Sequence, residues 1–331
     1  MHVLEKLREQ ARRAAGVAAV VAASVLPAGA QDLPVLRVAA QMAGTVNWEL
    51  QTIRHHGLDR ENGFELELMD VAGSTAGQVA FLGGEADVIV SDWIWVARQR
   101  AEGQDIAFIP FSVAVGGVMV PKDSDAETLE DLKGRQIGIA GGPLDKGWMI
   151  MRAYAAQQGW DLAAETEQVF GAPPIIYQAG VRGEVAAVMN FWHFMAKQEA
   201  AGMRHLISIA EAAEALGLDP QTPLLGYIVK GETLAEKPEA IAGLARASRA
   251  AKELLRESDE EWERLRPIMG AENDAEFEAL REGFRAGIPE PGAVDEESIA
   301  RFFAVMVELG GPDLVGSATE LPEGVFAPVN D

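Results

Sequence analysis

Residue types that carry covalent or metal chemistry are scarce in this chain, and their spacing does not favour such chemistry. There is no cysteine, which excludes disulfides, thiolate zinc sites and thiol nucleophiles. The five histidines are His2, the adjacent His55 and His56, His193 and His205, and none stands in an H-E-x-x-H or comparable metal spacing. Neither a G-x-S-x-G nucleophile turn nor a G-x-x-x-x-G-K-[ST] phosphate loop occurs. His193, beside Trp192, is the single candidate general base, and a hydrogen-bonded structural histidine is its plainer reading. The chain therefore reads as a binder without catalytic residues, metal or cofactor. Ser74 and Thr75 follow Gly73 at a helix start, where hydroxyls and free N–H groups meet the positive end of a helix dipole. That is a ready anion site, although ordinary capping, worth about 1 kcal/mol, explains the same residues. Trp48, Trp93, Trp95, Trp148, Phe191 and Trp192 fall in or near loops, and their flat faces can stack on rings, pack on alkyl groups or attract cations. A tryptophan is more often core, so the expectation is that at least two of Trp93, Trp148 and Trp192 face a ligand. Asp92 and Asp145 suit an amine or ring N–H, and Lys146 suits a carboxylate or sulfonate; each reads equally as a solvated rim charge.

The elements that would position these residues alternate. Pro34 to Ala40 is a strand, Gln41 to Asn47 a loop and Trp48 to His56 a helix; Phe64 to Val71 is a second strand with one wet face. Ala76 to Leu82 is a helix capped by Gly73-Ser74-Thr75, and Asp87 to Val90 is a third strand that runs into Ser91-Asp92-Trp93. This order predicts a mainly parallel sheet whose loops group at the strand C-termini, where a ligand would sit. The stretch Gly116 to Trp148 repeats the theme. Gly117 to Pro121 is a strand, and Thr128 caps a helix of about two turns that Gly134 stops. Gln136 to Ala140 is a buried strand that empties into Gly141-Gly142-Pro143, with a helix from about Leu144. Further on, Ala186 to Asn190 reads as a strand that ends in Phe191-Trp192-His193-Phe194. From Lys237 the chain is helical: Ser258 with Glu261 reads as a capping box, Asp295 as another cap, and Ile299, Phe302, Phe303 and Val307 as a buried stripe.

The run VMVPKDSDAETLEDLKGRQIGIAGG and, earlier, Leu82-Gly83-Gly84-Glu85-Ala86-Asp87-Val88 resemble periplasmic substrate-binding proteins of the nitrate/sulfonate/taurine ABC-importer family. The resemblance covers about residues 34 to 255. It departs from the family at Pro143 and Asp145, where many relatives carry Ser or Thr. It implies an α/β, two-lobed type II periplasmic binding protein with its ligand cleft between lobes. Lobe I would comprise residues 31–115 and 225–331 and lobe II residues 116–224, with crossings in Ile106 to Met119 and Leu224 to Lys230. One wall would present Gln41, Asn47, Ser74, Thr75, Asp92 and Trp93, the other Gly142, Asp145, Lys146, Trp148, Phe191 and Trp192. The implied partners are a small organic solute and an ABC permease and ATPase complex, the binding protein being a monomer. Two other readings share the fold. One is a pyrimidine-precursor binding protein or synthase of thiamine metabolism, whose Cys-rich motif this cysteine-free chain lacks. The other is a periplasmic sensor or adaptor.

Length and composition agree with export of a two-lobed chain. The 331 residues exceed one ordinary core, and 48% hydrophobic content is ample for burial. Residues 1–30 read as a cleaved signal peptide: Lys6, Arg8, Arg12 and Arg13 precede the apolar run Ala14 to Leu26, and Ala28-Gly29-Ala30 is a cleavage signal. Their removal, with four basic and two acidic side chains, takes the net charge from −23 to −25. Such a charge repels nucleic acid and anionic membranes.

Overall fold

In the computed structural model β1 (Val35–Ala40) lies between two parallel neighbours, β2 (Glu65–Asp70) and β3 (Val88–Asp92), so Leu36 and Val38 are fully buried. The structure describes residues 33–219, 221–290 and 294–328, and the expected signal peptide lies outside them. β10 (Leu225–Lys230) runs antiparallel to both β3 and β4 (Ile106–Ser112), which completes a sheet of order β2-β1-β3-β10-β4. A second sheet has order β7-β6-β8-β5-β9, formed by β5 (Gly117–Pro121), β6 (Gln136–Ala140), β7 (Glu167–Gly171), β8 (Ala187–Asn190) and β9 (Met203–Ser208). β6 is parallel to β7 and β8, and β5 is antiparallel to β8 and β9. Four strands in each sheet thus run one way and one runs against them. The reversed strand in each case, β5 or β10, is the one by which the chain arrives from the other sheet.

Helices cover the sheets: α1 (Val46–His56), α2 (Ser74–Leu82) and α3 (Trp93–Ala101) follow strands of the first, and α4 (Lys146–Gln157), α5 (Pro173–Val181) and α6 (Trp192–Ala200) those of the second. Four helices end the chain: α7 (Pro238–Glu257), α8 (Asp259–Met269), α9 (Asp274–Ala286) and α10 (Glu296–Val315), the last broken at Gly311. The capped segment after Thr128 is one 3-10 turn, Leu129–Leu132, shorter than the two turns expected, because the backbone becomes extended at Lys133, with ψ 133°. The stripe on α10 is Ile299, Phe302, Phe303 and Met306, all fully buried. It packs against Trp93 of α3, while α10 also lies along α4, so this helix touches elements of both sheets. Among the described residues no helix is long and apolar enough to cross a membrane.

Two buried charge clusters tie the first sheet to the terminal helices. Glu49 of α1, with no exposed surface, accepts the Tyr227 hydroxyl at 2.8 Å and lies 2.8 Å from Lys252 Nζ of α7. Lys252 also donates to Ser248 at 2.5 Å and stands over the Phe111 ring at 4.3 Å. Burial pushes the Lys252 ammonium down, against the pull of Glu49, and pushes the Tyr227 hydroxyl well up, with Glu49 adding to it.

The second cluster replaces half of an expected capping box. Ser258 Oγ accepts the Glu261 N–H at 3.1 Å, but the Glu261 carboxylate turns to the Thr52 hydroxyl (2.6 Å), His56 (3.1 Å) and Arg264 (2.5 and 2.9 Å). Burial alone would raise its pKa; hydrogen bonds from Arg264, Thr52 and His56 outweigh it and hold the group at about 2. A carboxylate with a depressed native pKa contributes stability that is present above its unfolded value, 4.5, and is lost as pH falls from there towards about 2. Urea midpoints at pH 6 and pH 3 should therefore diverge more for the wild type than for Glu261→Gln. Equal acid sensitivity in both would remove Glu261 from the account.

Candidate ligand cleft

The parallel strands of each sheet empty their C-termini into the loops that carry the predicted residues. After β1, the Asn47 side chain is 3% exposed: its Nδ2 donates to the Met42 carbonyl at 2.8 Å, and its Oδ1 accepts from Gln51. It braces the loop from within. Gln41 is half-buried and its Nε2 reaches Ser74 Oγ at 3.5 Å, which joins the first and second loops. Ser74 and Thr75 are exposed in the first turn of α2, whose N-cap, Gly73, makes no side-chain cap. The hydroxyls are therefore free of the capping role that competed with ligand contact. After β3, Asp92 is the N-cap of α3 and accepts the Trp95 N–H at 2.7 Å.

On the second sheet, Gly141 donates to the Gly171 carbonyl at 2.9 Å, which sets the loops after β6 and β7 side by side. Gly141 has φ +95°, a backbone position that only glycine takes easily. Gly142 and Pro143 follow, and the helix starts at Lys146 because Asp145 caps it, accepting the N–H groups of Gly147 (2.9 Å) and Trp148 (3.4 Å). Leu144, in the loop after β6, and Ile175, in the first turn of α5, stand exposed. After β8, the buried Asn190 donates to the Pro173 carbonyl at 3.1 Å and accepts the Phe191 N–H at 2.9 Å. Lys146 Nζ lies over the half-buried Phe191 ring at 5.8 Å.

Loops of the two sheets meet electrostatically. Burial raises the Asp92 carboxyl above the usual range; the Lys146 ammonium and the Trp95 N–H oppose this, and Asp145 adds to it. Asp92 belongs to the first sheet and Lys146 to the second. Gln41, Ser74 and Thr75 thus stand in the loops and helix start after strands of the first sheet, and Gly142, Asp145, Lys146 and Phe191 after strands of the second, with Lys146 near enough to Asp92 to bias its carboxyl. A groove of 440 Å³ lined by Arg54, His55, His56 and Arg60 lies at the opposite, N-terminal edge of the first sheet and touches none of them.

Two of the three tryptophans expected at the ligand, Trp93 and Trp148, are buried in side-chain packing. Trp93 is fully buried against Phe302, Phe303 and Phe326, and Trp148 is 3% exposed with its ring on Phe170. Trp48 packs with Trp262 and Phe284, and the half-buried Trp192 meets Trp48 edge-on at 6.1 Å. His193 is ringed by Phe191, Trp192 and Phe194; burial, with a smaller push from Lys197, takes its pKa to about 3, so it is neutral and a weak base. Sequence reasoning missed Asn190, although an Asn at a strand end before a helix is a loop-bracing signal. It also missed that Asp92 and Asp145 each stand three residues before the indole-bearing N–H they cap, a spacing plainly visible in the chain. Among the described residues there is no cluster able to hold a metal ion.

Two sheets of matching order, joined by two crossings and flanked by helices, define an α/β periplasmic binding protein fold. Solved structures share it: the alkanesulfonate-binding protein SsuA from Xanthomonas axonopodis pv. citri bound to MOPS, with 18% identity over 86% of this chain and 98% of that one and a TM-score of 0.67. The periplasmic aliphatic sulphonate binding protein SsuA from Escherichia coli matches at 18% identity, 85% and 94% coverage and a TM-score of 0.66. A Candida albicans protein described as having the generic periplasmic binding protein fold matches at 14%, 85% and 90%, with a TM-score of 0.60. Comparison with curated proteins gives no match. The family model described as NMT1/THI5 like matches residues 52–261, and the chain belongs to that family.

Proposed function

We propose that this protein is the periplasmic solute-binding subunit of an ABC importer, which traps a small organic acid by hinge closure and delivers it to the permease. The observation that supports it is that Lys146, at the start of α4 on the second sheet, lies near enough to Asp92 of the first sheet to bias its carboxyl, while Ser74 and Thr75 are exposed at the start of α2. In this reading residues 31–115 and 225–331 form lobe I, residues 116–224 form lobe II, and 113–116 is one hinge segment. The acid head sits between the Lys146 ammonium and the start of α2, where charge-assisted hydrogen bonds and a helix dipole favour an anion. Leu144, Ile175 and the Phe191 ring take the apolar or ring portion. Contacts to both walls favour the closed state in proportion to the difference in affinity between closed and open forms. The sulfonate ligands named for the similar bacterial structures support this solute class.

A thermal-shift panel of sulfonates, carboxylates, amines, alcohols and pyrimidines tests the proposal. A ligand at 100 times its Kd should stabilise the protein by about 2.7 kcal/mol. Hits confined to sulfonates or carboxylates are expected. Hits confined to pyrimidines would move the protein to thiamine-precursor binding, and silence across a folded sample would reject the importer reading.

A further inference from the structure

The loop after β8 is held at three points that have nothing to do with a solute. The first is the chain crossing at residues 113–116. Gly116 passes so close to the end of β8 that a Cβ there would stand 1.8 Å from the Asn190 carbonyl oxygen and 2.9 Å from Phe191 Cα. The second is α9, which packs lengthwise on α6. At Gly283 the absence of a side chain leaves a notch, and the Trp192 indole fills it: a Cβ on Gly283 would lie 2.6 Å from one ring carbon of Trp192 and 2.9 Å from the next. The third is Lys197, whose ammonium donates to the Gly270 carbonyl at the end of α8.

The far end of α9 is bonded to the other end of the same crossing. The Gly287 carbonyl accepts the Val113 N–H at 3.0 Å and the Ser112 hydroxyl at 3.0 Å, and a Cβ on Gly287 would stand 2.5 Å from Ala114 Cβ. One short segment, 113–116, therefore touches the foot of α9 at one end and the Asn190-Phe191 loop at the other, while Trp192 closes the triangle on Gly283. Phe284, Phe277 and Leu280 anchor α9 in the core that holds Trp48 and Trp262 beside the first sheet. Trp192 rides on the second.

We propose that Trp192 is a positioning residue: seated in the Gly283 notch, it sets the closed approach of the two lobes and so the solute affinity, without itself holding the solute. This rests on the solute-binding reading for its affinity arm only. Gly283 lies on α9, and filling it with a good helix former should not weaken that helix, since Gly is about 1 kcal/mol poorer than Ala in a helix interior. The experiment compares wild type, Gly283→Ala, Gly283→Leu, Trp192→Ala and the double variant Gly283→Leu/Trp192→Ala by small-angle X-ray scattering and by ethanesulfonate titration, with unfolding midpoints as the folding control. Gly283→Leu is expected to enlarge the radius of gyration and to lower ethanesulfonate affinity at least tenfold, with Gly283→Ala between it and wild type. The double variant is expected to regain compactness and most of the affinity, a non-additivity that a direct Trp192 contact with solute cannot give.

Scattering profiles of Gly283→Leu and wild type that coincide with and without ethanesulfonate overturn the proposal. So does a double variant that binds no better than either single one while remaining folded. If wild type does not bind ethanesulfonate yet the scattering series behaves as stated, the positioning role stands and the acid-binding reading is what fails.

Discussion

Lys252→Met is expected to destabilise the protein by about 3–5 kcal/mol, because it leaves the Glu49 carboxylate buried with only the Tyr227 hydroxyl for company. With both partners present, the ion pair at 2.8 Å, the Ser248 hydroxyl and the Phe111 ring offset the cost of burying two charges. A chain with Glu49→Leu and Lys252→Met together should recover most of the loss, since a well-packed apolar pair needs no compensation. Urea unfolding of the three chains checks this. A single variant within about 1 kcal/mol of wild type would mean that Glu49 is not held as an isolated anion. The cluster lies directly under Phe111 and Tyr227, the residues next to the two crossings, so the same variant is expected to loosen the hinge before it unfolds the rest.

Lys146→Met is expected to weaken binding of an anionic solute by about 10- to 100-fold, the worth of one charge-assisted hydrogen bond at about 1.5–3 kcal/mol. Its unfolding midpoint should stay near that of wild type, because the ammonium's packing is over the face of the half-buried Phe191 ring. Asp92→Asn should act the other way on the same solute, by removing a negative charge that faces Lys146, although its amide retains the cap on α3 only through its oxygen. Isothermal titration of the three proteins with one sulfonate separates the effects. Unaltered affinity in Lys146→Met would place the acid head away from the start of α4.

What could be read from the chain was local. The glycine stop at Gly134, the cap at Thr128 and the strand-glycine-helix turns all depend on residues within a few positions of one another. Side-chain facing was not local. Trp93 is buried because Phe302 and Phe303, some two hundred positions later, close over it, and nothing near Trp93 announces them. Glu49 and Lys252 pair across a similar span. Ser258 and Glu261 had the spacing of a capping box, yet Thr52, His56 and Arg264 offered the carboxylate three donors where the box offers one. Gly116 and Gly283 look like ordinary glycines until the carbonyl of Asn190 and the ring of Trp192 are placed against them.

The central claim is that the two lobes close on a solute, and scattering from the wild-type protein before and after saturation with the best ligand of the panel tests it most directly. The account predicts a smaller radius of gyration on saturation, reversed on dialysis. A solute that binds by calorimetry while the scattering profile stays unchanged would contradict closure.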